Sequence, residues 1–288
     1  MGRARWAGAM VVAALAGGRA GAGALRAQAS GAFAHPLGAV INVATVGRDG
    51  AKALVHIVYG IPGENLSGAE DGGYWRYPVT LRFAAYDSSG QVVASADTTA
   101  VLATPARVAV GSMLFGRFVV AVPPGRWAYR LALAEGDSTG TETPGDSLVV
   151  PAFDSGGLVM SDAVLGWRRI SLTWLRGADT VYLSPFHAYF GVAELELYYE
   201  VYGLPAGSSY QTEIRVLDRR RKPGDPPLVE VRFGGMAAAG VTSGRRTIDL
   251  TDFRPGAYWL ELIVTDRAGR HVERRTWFEV TPTPRSRA

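Results

Sequence analysis

The strongest constraint on this chain is an internal repeat. Residues 253–280 read FRPGAYWLELIVTDRAGRHVERRTWFEV: a Pro-Gly turn, an alternating strand, a second turn and a returning strand. Residues 122–150 match them 131 positions earlier. Pro124, Gly125, Trp127, Tyr129, Leu131, Leu133 and Pro151 answer Pro255, Gly256, Tyr258, Leu260, Leu262, Val264 and Pro282. In the second copy Tyr258, Leu260, Leu262 and Val264 make an apolar face, and Trp259, Glu261, Ile263 and Thr265 a mixed one. A strand with that alternation lays one face on a core and the other towards water.

Earlier strands repeat too. Residues 53–59, ALVHIVY, end at Gly60-Ile61-Pro62, and residues 195–202, LELYYEVY, end at Gly203-Leu204-Pro205. The shared Tyr-Gly-(Ile/Leu)-Pro ending predicts a strand stopped by residues that cannot continue a ladder. Residues 79–86 and 210–217 follow, each leading through a turn signal to a returning strand at 91–96 or 228–233. From Pro62 to Pro124 is 62 residues, whereas from Pro205 to Pro255 is 50. Most of the surplus falls in residues 63–77, GENLSGAEDGGYWRY, which read as a long Gly- and acid-rich loop of the functional or mobile kind.

These signals predict an all-β fold: two tandem immunoglobulin- or fibronectin-III-like β-sandwich domains after an N-terminal signal peptide. The expected divisions are a signal peptide at 1–29, a first sandwich at 30–151 and a structured linker with edge strands at 152–189. A second sandwich follows at 190–282, then a disordered tail at 283–288. Phe253-x-Pro255-Gly256-x-Tyr258 has the pattern of the corner entering the penultimate strand of immunoglobulin-like domains, where a Tyr hydroxyl bonds backbone. Trp127 stands at that position in the first repeat and leaves its corner bond open.

Length and composition are compatible with this plan. A chain of 288 residues holds two ordinary domains, and 48% hydrophobic with 19% charged content is globular. The first 29 residues carry Arg3 and Arg5, an apolar stretch at 6–18 and the small-x-small site Ala27-Gln28-Ala29, the marks of a secretory signal. Cleavage nearer Ala22 is the alternative. Localisation is therefore expected outside the cytoplasm: periplasm, cell surface or medium. The leader holds four of the 30 basic residues and no acid, so the remainder balances at 26 basic against 26 acidic. That balance removes the case for a nucleic-acid partner based on the high pI. No later apolar run reaches the roughly 18–20 residues of a spanning helix. The chain has no cysteine, so disulfides, thiolate chemistry and an N-terminal lipid anchor through Cys are excluded.

Motifs for chemistry are sparse. His35, His56, His187 and His271 lie far apart, without metal-site spacing. No nucleophile elbow, phosphate loop or dinucleotide fingerprint occurs. The acids of residues 64–71 lack the ligand repeat of a calcium loop. No cofactor and no enzymatic activity are expected. Arg219-Arg220-Arg221-Lys222, at a predicted hairpin tip, reads as a solvated loop or as a dock for an acidic partner or polysaccharide. Trp75 and Tyr77, ending the long loop, are candidate contacts for a partner or a sugar. Tyr198, Tyr199 and Tyr202 crowd one strand, and adjacent Tyr198 and Tyr199 must face opposite sides.

The order of LVMSDAVL at 158–165, ELELYYEVYGLP at 194–205 and the Pro-Gly-x-Tyr hairpin resembles the β-rich region of bacterial GWxTD-domain proteins. The resemblance covers roughly residues 40–282. It lacks the signature itself, since Gly166-Trp167-Arg168-Arg169 is not a match. It implies an exported protein of this architecture. The expected function is a non-catalytic interaction or scaffold module of the cell envelope, with an envelope protein or polysaccharide as partner. The runner-up is a carbohydrate-binding module, and a hydrolase comes third.

Overall fold

The computed structural model describes residues 33–168, 172–190, 194–220 and 224–281, without the side chains of 144–146 and 190. The expected signal peptide, the tail, Arg221 and Lys222 lie outside the described residues.

The first half contributes β1 (His35–Pro36), β2 (Val40–Asp49), β3 (Lys52–Pro62), β4 (Ala69–Asp71), β5 (Tyr74–Tyr86), β6 (Val92–Thr104), β7 (Met113–Val122), β8 (Gly125–Glu135) and β9 (Thr139–Val150). One sheet has the order β2-β3-β7. The other runs β6-β5-β8-β9, with β4 also on β5 and β1 parallel to β9. The two sheets face each other across one core. Tyr77, Val79, Leu81, Phe83 and Ala85 alternate into it from β5 and meet Val55, Ile57, Tyr59 and Ile61 from β3.

The second half repeats the plan. β10 (Val159–Met160), β11 (Val164–Gly166), β12 (Leu172–Arg176), β13 (Asp179–Leu183) and β14 (Ala188–Phe190) precede β15 (Glu194–Tyr202). Then come β16 (Ser209–Asp218), β17 (Val229–Met236), β18 (Val241–Asp249), β19 (Gly256–Asp266) and β20 (His271–Thr281). β10 and β11 pair in succession with β15, whose other edge pairs with β18. The facing sheet runs β17-β16-β19-β20-β14, with β14 parallel to β20 as β1 is to β9. Each half is thus a three-plus-four antiparallel sandwich of the immunoglobulin and fibronectin-III kind. Among the described residues no helix is long and apolar enough to cross a membrane.

β12 and β13 form a hairpin outside both sandwiches. Leu172, Trp174, Val181 and Leu183 from it, with Ala44, Val46 and Val58 from the first sandwich and Val164 and Tyr198 from the second, make a third apolar cluster. Burying a Val or Leu contributes about 1.5–3 kcal/mol, so this cluster joins the halves firmly. It also explains why β3 and β15 are buried on both faces, β15 with Glu196 and Glu200 on its junction side.

Three expectations are revised. Residues 63–77 are not an unstructured loop: a 3-10 turn at Gly63–Asn65 leads to the β4-β5 hairpin, turned by Gly72 and Gly73 at φ +61° and +79°. Buried Glu135 pins the approach, accepting from Ser67 N, Ser67 Oγ and Gly68 N at 2.8, 3.0 and 3.1 Å. The corner bond exists in both halves. Tyr258 Oη donates to Arg254 O at 2.5 Å, and Trp127 Nε1 donates to Pro123 O at 2.8 Å, each to the carbonyl four residues back. Pro124 and Gly125, like Pro255 and Gly256, hold the chain in the turn spanned by that bond.

The two Tyr-Gly-(Ile/Leu)-Pro endings differ. β3 runs on through Gly60 to Pro62, with Gly60 paired to Val40 and Phe115. β15 stops at Tyr202, because Gly203 turns left-handed at φ +77°. A Cβ on Gly203 would stand 1.9 Å from Gly157 O, whereas one on Gly269, at φ +80°, would meet nothing within 4 Å. Gly269→Ala should therefore cost only left-handed strain, about 1–2 kcal/mol. Gly203→Ala should add a backbone clash of roughly 1–3 kcal/mol. Denaturant unfolding of the two variants measures the gap, and equal losses would remove the close approach as a constraint.

Candidate functional site

Three buried ionisable side chains, His56, Glu196 and Glu200, gather where the halves meet. On β15, Leu195, Leu197, Tyr199 and Val201 face the second core, while Glu196, Tyr198, Glu200 and Tyr202 face the first half and the hairpin. Tyr198 thus lies outside the sandwich core as alternation requires, but it is buried under the hairpin rather than free for a ligand. Glu200 accepts from Tyr198 Oη at 2.9 Å, from Tyr202 Oη, and from Arg176 Nε and Nη2 at 2.7 and 3.4 Å. Burial first, and the Glu200 charge second, push both phenols well above the usual tyrosine range. The bond to Glu200 pushes Arg176 up, against the pull of burial. Glu196 is held by Arg168 at 2.6 Å, Arg245 at 3.1 Å and Thr247 Oγ1 at 3.2 Å.

Trp174 covers this group. Its ring lies 4.4 Å from His56, 6.4 Å from Tyr198, and under the guanidinium groups of Arg117 and Arg176 at 5.5 and 5.7 Å. His56 Nε2 donates to Val46 O at 3.0 Å, and Nδ1 has no partner among the described residues. Burial, then the Arg117 charge, lower His56 to about 3.

Ser161 and Asp162 sit between β10 and β11 and hold different halves. Ser161 exchanges two bonds with Glu200: its N donates to Glu200 O and its Oγ accepts from Glu200 N, both at 2.9 Å. Asp162 does the same with Thr45 of β2: its N donates to Thr45 O at 3.0 Å, and its Oδ2 accepts from Thr45 N at 2.7 Å. Burial raises the Asp162 carboxyl, opposed by the Thr45 bond and by Arg274.

Two clefts open nearby. One, about 270 Å³, lies at the junction between β2, the β10-β11 segment, the residues after β13 and the outer part of β20. The other, about 810 Å³, lies on the outer face of the second sandwich between β16, β19, β20 and the 224–227 loop. There Arg219 lies 4.5 Å above Trp259 and 5.3 Å from Trp277, and Arg275 lies 4.3 Å from Trp259. His187 stacks on Trp277 at 4.5 Å. Such cation–π contacts hold the guanidinium groups over the indole rings.

The sequence candidates fare unequally. Arg219 belongs to this outer face. Arg220 does not, because it is clamped by Asp218 in a two-pronged bond at 3.0 and 2.7 Å. Arg221 and Lys222 lie outside the described residues. Trp75 is half-buried beneath Arg107 at 5.3 Å. Tyr77 is 0% exposed, and its hydroxyl accepts from Val108 N at 2.8 Å, so it is a core residue and not a surface contact. It points inward because it shares the core-facing side of β5 with Val79 and Leu81. Sequence reasoning missed Trp259, Trp277, Arg275, Asp162 and Arg274. Trp259 sat in view on the mixed face of β19, where a large aromatic signals a used surface. Asp162 gave no signal beyond its place in the Ser-Asp segment. Among the described residues no group of three or more His, Asp or Glu could hold a metal ion.

No family model matches the chain, and no curated protein does. Among solved structures, a biofilm-associated protein BSP domain aligns at 12% identity and TM-score 0.32, over 85% of this chain and 29% of that one. The fibronectin(III)-like modules of Clostridium thermocellum CbhA align at 10% identity and TM-score 0.23, over 87% and 97%. A tetra-tandem repeat from the extending region of a large adhesion protein aligns at 12% and 0.25, over 84% and 49%. The chain spans under a third of the length of the biofilm protein. Superpositions this loose carry nothing about activity, and the fold assignment rests on strand order and register.

The neutral, buried His56 makes stability pH-dependent. The folded protein resists protonating it until about pH 3, whereas the unfolded chain does so near 6.5. Between those values the unfolded state holds the extra proton, so stability falls as pH falls, by up to about 1.4 kcal/mol per pH unit. His56→Phe keeps a ring against Trp174 and removes the proton site. Unfolding curves from pH 7 to 3 should show a shallower loss for the variant, and parallel curves would acquit His56.

Proposed function

We propose that the protein is an exported, non-catalytic interaction module of the bacterial envelope, and that the outer face of β16, β19 and β20 is its partner surface. The observation that supports this is internal to the repeat. Trp259 and Trp277 form a cross-strand pair, and the corresponding pair in the first sandwich is Ala128 and Ser147. The same fold forms there without the aromatic row, so packing within a sandwich does not demand it. Arg219, held over both indoles, has no carboxylate partner among the described residues. Its five donors are pre-placed for a carboxylate or similar acceptor on a partner. Trp and Arg are also the residues most often found at the energetic centre of protein interfaces.

Affinity capture from envelope extract tests this, with the exported chain and an Arg219→Ala/Trp259→Ala variant as parallel baits. The expected result is a partner retained at least about tenfold better by the unaltered bait, the effect of losing one interface anchor. Equal retention would move the contact surface elsewhere. No retained partner would count against the interaction reading itself.

A further inference from the structure

We infer that the junction cleft binds a small, neutral, hydroxyl-bearing molecule of about one sugar ring. The inference stands whether or not the outer face docks a partner. At about 270 Å³ the cleft falls just below the ~300–1,000 Å³ of sites for drug-sized ligands, so it suits a single ring. It also lies where two domains and a connecting segment meet, a common place for such sites.

The class of ligand follows from which polar groups are already committed. The donors of Arg274 are largely spent. Arg274 donates to Met160 O at 2.7 Å and Glu273 O at 3.0 Å, and its Nε lies 3.9 Å from Asp162 Oδ1. Arg275 is engaged by Glu261 at 3.4 Å and by Trp259. Acceptors remain. Asp162 gives Oδ2 to Thr45 N, its Oδ1 lies 3.9 Å from the Arg274 guanidinium, and 40% of its side-chain surface stays accessible. Asn42 donates from Nδ2 to Ser184 O at 3.0 Å, with Oδ1 uncommitted. His187 Nδ1 lies 3.1 Å from Trp277 O, and a carbonyl only accepts, so Nδ1 carries the proton. Burial lowers this histidine, the ring is neutral, and Nε2 is left as an acceptor.

An occupant must therefore bring donors. A cation would do so, but it would sit beside two arginines, Arg274 and Arg275. An anion would meet Arg274 with Nη1 and Nη2 already on backbone carbonyls, Arg275 already against Glu261, and the Asp162 carboxyl beside them. A neutral polyol satisfies Asp162, Asn42 and His187 together, while Ala44, Val58, Val164 and Leu183 offer an apolar floor to its C–H face.

The test is titration of the full chain with D-glucose, D-galactose and N-acetyl-D-glucosamine, with ethylamine and acetate as charged controls, followed by amide chemical shifts. The expected result is saturable binding of at least one sugar, perturbing residues 42–44, 162–165 and 274–277. Asn42→Ala and His187→Phe, the latter keeping a ring against Trp277, should each weaken it roughly tenfold, the worth of one hydrogen bond. No saturation by any of the three at about 10 mM, in a range where millimolar binders respond, would overturn the inference. So would tighter binding of ethylamine or acetate, or unchanged affinity in variants that melt like the parent. If both variants misfold, the shift map of the unaltered chain decides, and a perturbed patch elsewhere refutes the site.

Discussion

The structure depends on one buried carboxylate. Glu200 lies near the C-terminal end of β15, with Oε1 on Tyr198 and Arg176 and Oε2 on Tyr202 and Arg176. Such a group is tolerated in an interior only when its charge is paired and its lone pairs are filled. Here the partners come from the hairpin and from β15 itself, and its backbone is bound by Ser161. Removing one partner of a buried pair typically costs about 3–5 kcal/mol, because the remaining charge is left uncompensated. The pairing thus fixes the hairpin on the second sandwich. Through Trp174 and the third apolar cluster, it fixes the first sandwich on the hairpin.

This arrangement turns two sandwiches that could hinge into a body with a defined crevice. Ser161 and Asp162 are adjacent, and on an extended backbone adjacent side chains point to opposite sides. One therefore ties down β15 while the other reaches β2. Thr45 can receive Asp162 because β2 is the edge strand of its sheet, which leaves the backbone groups on the side away from β3 without a ladder partner. The junction cleft exists because this two-sided bond holds β2 against the β10-β11 segment at a fixed separation.

The repeats, the alternating strands and the sandwich class were legible in the sequence because they follow from periodicity and turn chemistry, which are local. The Pro-Gly corner was legible too, although only the structure shows an indole standing in for a phenol, with the donor reaching the same carbonyl. Tyr77 was misjudged because its neighbours in sequence, Trp75 and the glycines, look like a loop. Its fate was set by Asp71-Gly72-Gly73 turning the chain early, so that β5 already begins at Tyr74. Glu200, Arg176, His56 and Trp174 are far apart along the chain, and no spacing rule joins them. The same holds for Asp162, Asn42 and His187. Sites assembled by tertiary packing leave no short-range signature, whereas Trp259 did leave one, as a bulky aromatic on the polar side of an alternating strand.

Comparison of the two halves separates what the fold requires from what it permits. Both keep the corner bond, the short strand parallel to the last strand, and the three-plus-four sheets, so these are structural needs. The halves part at Gly60 and Gly203, where one strand continues and the other turns. They part again at the outer pair, Ala128 with Ser147 against Trp259 with Trp277. The first difference follows from Gly157 lying against Gly203, which leaves no room for a Cβ and brings the linker segment back beside β15. The second has no counterpart in packing, since an alanine and a serine complete the same ladder in the first sandwich. Trp259 and Arg275 also border both clefts. The surface features that the fold itself does not demand are thus concentrated on one side of the second sandwich, next to the junction.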